Sequence, residues 1–210
     1  MNCFYRFAMV VTLASGAAAL GQSSPPATGG ASSPKVQVEL YPAGQEQSRQ
    51  NPVVLSFAGR LYTAAVFTNS TGRMPVEMGP DEAILPKIIS DNASADLGRI
   101  LTNWNPPERE EIAKLAGNPE MAEANANSYK RILQSELLVK MLYGANYVVY
   151  MVRHNRSDTS YVKDYPFKRV EGKLYLTNEL TGDPVFQYIT TSYAQSLRGS
   201  RKDKASPDKP

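Results

Sequence analysis

A single histidine, His154, and a single cysteine, Cys3, narrow the chemistry open to this chain. Thiolate and imidazole metal cages need several such ligands, and a disulfide needs two cysteines. No metal site and no cofactor are therefore expected. The phosphate-cradling G-x-x-x-x-G-K-[ST] loop and the G-x-S-x-G nucleophile elbow do not occur, and H-E-x-x-H is impossible with one histidine. Any imidazole acid–base chemistry must rest on His154, whose ordinary pKa is close to neutrality. It stands beside Arg153, Asn155 and Arg156 at the end of a strand-like run, which predicts an exposed loop residue rather than a catalyst. Tyrosine is abundant, with 12 residues. Tyr143, Tyr147, Tyr165 and Asn178, with Arg169 if it turns inward, are the candidates to line a cavity mouth and hydrogen-bond a ligand. Against that stands the ordinary use of strand aromatics as core or cross-strand pairs. Trp104 reads as a packing residue between helices.

The elements that must position these side chains fall into two halves. Four Asx-Pro pairs punctuate the chain, at Asn51-Pro52, Asn105-Pro106, Asn118-Pro119 and Asp183-Pro184. An Asx side chain caps the free N–H groups of a first helical turn, and proline at the next position lacks a donor that would go unsatisfied. Helices are expected from Pro106 to Ala116, with Glu108 closing a capping box and Gly117 as the stop, and from Pro119 to about Ile132. Asp81 to Ser90 and Ala95 to Trp104 read as two further short helices, and Pro184 to Leu197 as a terminal one with Phe186, Ile189, Tyr193 and Leu197 on one stripe. Val36 to Tyr41 alternates as an edge strand. The segment Pro52 to Thr68 carries an i, i+4 stripe of Val53, Phe57, Leu61 and Ala65 amid β-branched and aromatic residues; its length and capped start favour a helix over a strand.

From Leu137 the period changes to two, and Leu137 to Tyr143, Tyr147 to Arg153, Tyr161 to Val170 and Lys173 to Leu180 read as four strands of an antiparallel meander. A two-residue turn at Glu171-Gly172 sets Val170 against Lys173, Lys168 against Tyr175, Phe167 against Leu176 and Tyr165 against Asn178. Phe167, Tyr165, Arg169, Leu174, Leu176 and Asn178 then share one face. The strand Tyr147 to Arg153 is apolar on both sides, which marks it as central and doubly covered. The fold class is α+β: N-terminal helices packed on a curved four-stranded antiparallel sheet, with a C-terminal helix.

The stretch Leu142-Tyr143-Gly144-Ala145-Asn146-Tyr147-Val148-Val149, leading to Pro166-Phe167-Lys168-Arg169-Val170-Glu171-Gly172-Lys173-Leu174-Tyr175-Leu176, resembles the nuclear transport factor 2-like (SnoaL-like) superfamily over Tyr143 to Leu180. The resemblance implies a bent sheet crossed by helices around a cavity, in a group that includes isomerases, cyclases, ligand-binding modules and scaffolds. Some of its enzymes use a cavity aspartate as base. Here no carboxylate falls clearly on the inner face, since Asp164 points opposite Tyr165, and Glu136, Glu179 and Asp96 have no partner assignable from sequence. The terminal helix and the many short helices between Asp81 and Ile132 depart from the pattern.

The ends carry their own signals. Residues 1–21 hold one positive charge, Arg6, then a 14-residue run from Phe7 to Leu20 ending in small residues, the pattern of a secretory signal peptide cut after Ala19 or Gly21. The run is short of the about 20 apolar residues that span a bilayer, and no second long apolar run follows, so no transmembrane segment is expected in the mature chain. Without cysteine the mature protein suits a bacterial periplasmic or extracellular setting that it must survive on its core alone. Residues 22–35 form a Ser/Pro/Gly linker, 36–197 a single domain, and 198–210 a basic tail with five cations against two anions. Between Val36 and Leu197 there are 16 basic and 18 acidic residues, so the domain has no field steering it to nucleic acid. The tail reads as a solvated terminus that also offers contact to an anionic surface.

These features predict an exported, non-enzymatic protein that binds a small molecule, a peptide or an envelope component through a cavity or the concave face of its sheet. Two alternatives stand beside it. One is a cofactor-free isomerase or hydrolase in which Tyr165, Asn178 and Arg169 orient an anionic or carbonyl substrate. The other is a structural or assembly partner that forms a homodimer through its sheet.

Overall fold

The computed structural model describes residues 35–40, 53–68, 75 and 77–199. The segments read above as signal sequence, as linker up to Pro34 and as tail beyond Gly199 lie outside them, as do Asn51 and Pro52. Six strands form one antiparallel sheet in simple sequence order: β1 (Lys35–Leu40), β2 (Val53–Phe67), β3 (Gln134–Tyr143), β4 (Tyr147–Asn155), β5 (Ser160–Val170) and β6 (Lys173–Leu176). Between β2 and β3 the chain makes a 3-10 turn at Asp81–Ala83 and the helices α1 (Ile84–Ser94), α2 (Leu97–Thr102), α3 (Arg109–Ala116) and α4 (Pro119–Lys130); α5 (Pro184–Gly199) follows the sheet. None of the described helices is long and apolar enough to cross a membrane.

The α+β class and the meander agree with the sequence reading, but the sheet has six strands rather than four, and two of them precede the helices. The segment expected to be helical from Pro52 is the 15-residue β2. An i, i+4 stripe satisfies the two-residue period of a strand as well as the helical one, and the β-branched residues Val53, Val54, Thr63 and Val66 decide for the strand once β1 and β3 are there to pair with it. β2 joins β1 with Val36 opposite Phe57 and β3 with Leu61 opposite Val139, and its register shifts between Leu61 and Ala65. That bulge turns Leu61 to one side of the sheet and Ala65 to the other.

The predicted hairpin register is observed from Phe167–Leu176 to Val170–Lys173, closed by Glu171 and Gly172, both at positive φ, as a type I′ turn requires. β6 ends at Leu176, so Tyr165 does not face Asn178. The cause is the neighbouring segment: Asn105 N–H donates to the Leu176 carbonyl and Leu176 N–H to that of Asn103, which occupies the outer edge of β6. Glu108 does not close a capping box; its Oε1 accepts from the Thr177 hydroxyl and the Asn178 N–H, fixing the turn after β6. Asn118 and Asp183 do cap α4 and α5.

Each face of the sheet has its own core. On one, Tyr62, Phe67, Val148, Tyr150, Val152, Tyr165, Phe167 and Leu176 meet Leu85, Ile88 and Ile89 of α1 and Tyr129 of α4. On the other, Val36, Val38, Met141, Val149 and Met151 meet Leu180 and Phe186 and Ile189 of α5. β4 is buried on both sides, as its composition predicts. Gly59 lies on β2 between β1 and β3: a Cβ there would stand 2.2 Å from the Lys140 carbonyl oxygen and 2.9 Å from Val36 Cγ2. Gly59→Ala is therefore expected to cost about 2–3 kcal/mol, read as a lowered urea midpoint; an unchanged midpoint would show that the β3 backbone at Lys140 yields freely.

Candidate functional site

Opposite each other across β2 and β3 stand Arg60 and Lys140, two cations on the helix-covered face. Like charges in direct cross-strand register are unfavourable unless anions intervene. The 3-10 turn at Asp81–Ala83 supplies them. Lys140 Nζ donates to Glu82 Oε1 at 2.8 Å and lies 3.4 Å from Asp81 Oδ2, and Arg169 Nη2 donates to that same Asp81 oxygen at 2.8 Å. Glu82 is 4% exposed and takes two further bonds, from the Tyr62 hydroxyl at 3.0 Å and from the Gly79 N–H at 2.8 Å. Around this cluster opens a pocket of about 560 Å³, walled by Ala58, Gly59, Pro80 and Leu142 and by the polar groups Arg60, Tyr62, Asp81, Glu82 and Lys140.

The charges there are fixed by their neighbours. Burial pushes the Glu82 and Asp81 carboxyls up, but Lys140, and for Asp81 also Arg169, outweigh it and hold both below their ordinary values. Both are carboxylates at neutral pH. Burial, then the Glu82 charge, pushes the Tyr62 hydroxyl well up, so it is a donor and not a phenolate. Tyr150, the cross-strand partner of Lys140, is fully buried, and its hydroxyl has no partner among the described residues. No family model, curated protein or solved structure significantly matches this chain. The site must be read from its own geometry.

The expectation of no inner-face carboxylate is corrected by Glu82 and by Asp91. Asp91, on α1, accepts from Lys87 at 2.5 Å, Arg99 at 2.9 Å and Asn103 at 2.9 Å, a cluster that ties α1 to α2. Neither carboxylate comes from a strand, and their partners are distant in sequence, which is why periodicity did not reveal them. The sequence signal that was available is the lone cation inside an apolar strand, Lys140 in Leu-Val-Lys-Met-Leu and Arg60 in Phe-Ala-Gly-Arg-Leu.

The five residues named from sequence are not brought together. Arg169 reaches Asp81 at the pocket's edge. Tyr165 is buried deep in the core on that same face. Tyr143 and Tyr147 lie on the α5 side, where Tyr143 donates to Asp183 at 2.6 Å and Tyr147 to Glu179 at 2.5 Å. Burial and the Asp183 bond push the Tyr143 hydroxyl up to about 12. Asn178 is exposed on the turn after β6.

His154 is also corrected: it is not a loop residue but a 0% exposed member of β4. Its Nδ1 lies 2.8 Å from Ser135 Oγ and its Nε2 2.8 Å from the Tyr165 hydroxyl. Lys163 Nζ donates to the Tyr129 hydroxyl at 2.7 Å, on the same side of the sheet as Tyr165. Burial first, then the Lys163 and Arg156 charges, press the imidazole down to about 3. A neutral, fully enclosed imidazole with both nitrogens bonded is a core residue, and Ser135, equally buried, has no access to a substrate. Among the described residues no group of three or more His, Cys, Asp or Glu side chains could hold a metal ion.

Proposed function

We propose that this chain is a non-enzymatic binding protein that takes a small molecule in the pocket between Arg60, Tyr62, Asp81, Glu82 and Lys140. The observation that carries this reading is the pocket itself. Its volume of about 560 Å³ suits a metabolite-sized ligand, and its polar groups are held by a buried carboxylate that accepts three hydrogen bonds. Holding, rather than turning over, is favoured because Arg169 and Lys140 hold Asp81 and Glu82 below their ordinary values, which makes both weak bases, and the one histidine is sealed in the core. The isomerase or hydrolase alternative needs Tyr165, Asn178 and Arg169 around one substrate, and their separation weighs against it. An exported location belongs to the same proposal, supported by the pattern of residues 1–21. A relation to the nuclear transport factor 2-like superfamily does too, supported by the Tyr143 to Leu180 stretch and by helices lying against one face of an antiparallel sheet.

Native mass spectrometry of the protein purified from its own host tests the reading. A reproducible non-covalent added mass is expected, and it should vanish in Leu142→Trp, which fills the pocket from its exposed wall. A bare protein mass, or an adduct that survives the substitution, overturns it.

A further inference from the structure

Three cations stand at the pocket, and they are not equivalent. Lys140 is neutralised by Glu82 and Asp81, and Arg169 by Asp81. Arg60 pairs with no carboxylate among the described residues: its Nη1 donates to the backbone carbonyl of Glu77 at 3.0 Å, while the Glu77 carboxylate takes the Thr63 hydroxyl at 3.4 Å. The guanidinium lies over the Tyr62 ring, 4.8 Å from its centroid, and its side chain is exposed. Stacked on an aromatic face and tied at one nitrogen, it is pre-oriented, and its remaining N–H donors take no other partner among the described residues. Among the described residues the cross-strand conflict between Arg60 and Lys140 is therefore relieved on the Lys140 side only.

We propose that the pocket selects a small organic anion, whose carboxylate pairs with the Arg60 guanidinium and whose body lies on Ala58, Pro80 and Leu142. This rests on the reading of the pocket as a ligand site and adds the ligand's charge. A planar carboxylate matches the guanidinium fork in a two-bond pair, which a lone ammonium cannot reproduce. The Tyr62–Glu82–Lys140 bonds keep the opposite wall in place, so the anion meets a fixed cation and not a collapsing cluster. The Asp81 and Glu82 charges, already committed to Lys140 and Arg169, leave Arg60 as the only described cation in the wall without an anionic partner.

The experiment is a titration of the mature protein, at neutral pH and low salt, with benzoate, benzamide and benzylammonium, followed by amide chemical shifts and calorimetry. Benzoate is expected to shift the amides of Arg60, Tyr62 and Lys140 and to bind at least about tenfold more tightly than the two other probes. Arg60→Gln should remove that preference while leaving the fold intact, because the side chain is exposed; Arg60→Lys should restore only part of it; and Glu77→Gln should strengthen benzoate binding by removing a competing charge. Equal binding of the three probes, or undiminished benzoate binding by Arg60→Gln, overturns the anion proposal. If benzamide or benzylammonium shifts the same amides and benzoate does not, the anion proposal fails while the pocket reading stands. If none of the three moves any pocket amide, both fail.

Discussion

Acidification from about pH 7 to about pH 5 is expected to remove about 2 kcal/mol of stability, through one residue. His154 is the only histidine in the chain, and its imidazole is pressed down to about 3 in the folded state against an ordinary 6.5. Below about pH 6.5 the unfolded chain binds a proton that the folded chain refuses, so stability rises with pH through this window and falls as pH drops toward the folded value. The carboxylates do not confuse the result. Asp81, Glu82 and Asp91 are held below their ordinary values, so their contribution is present above the unfolded carboxyl range and is lost only at lower pH. Urea midpoints measured in half-unit steps check this: the native chain should show the slope and His154→Gln should be flat over the same interval, whatever its own starting stability. A native profile as flat as the variant's would mean that the imidazole is hydrated and titrates freely.

Glu82→Ala is expected to destabilise the fold by about 3–5 kcal/mol at neutral pH. The substitution strips the buried Tyr62 hydroxyl of its acceptor, leaves the Gly79 N–H unpaired, and returns Lys140 to its place opposite Arg60 without a full counter-charge. Adding Lys140→Met to this background should recover at least about 1 kcal/mol, because an unpaired cation costs more than an apolar side chain of similar length. Denaturant unfolding of the two variants measures both effects. A loss under about 1 kcal/mol for Glu82→Ala would show that the cluster behaves as a solvated surface pair and does not hold the pocket's wall.

What was legible in the sequence follows from local physics. The Asx-Pro caps of α4 and α5, the two-residue turn between β5 and β6, and the two-sided burial of β4 each depend on residues close together in the chain. Period-two alternation marks a strand whenever its neighbours are also strands, and Leu137 to Leu176 offered an unbroken series of them. β2 escaped because its apolar spacing fits both periods, and only pairing with β1 and β3, one of them more than 60 residues further along the chain, selects the strand.

The sites were less legible than the elements. His154 looked exposed because three polar neighbours flank it in sequence, yet alternation along β4 turns it into the core while Arg153 and Asn155 face away, and the partners that keep it there come from β3 and β5. Glu82 showed no period at all, since it sits on a 3-10 turn whose meaning depends on a lysine 58 residues later. The sequence by itself determined which segments could be strands and helices, where their turns and caps lie, and that thiol and multi-histidine metal chemistry are out of reach. Tertiary structure alone decided which cations are neutralised, because a charge inside a strand finds its counter-ion across the sheet or from a covering turn, at separations that no local pattern records.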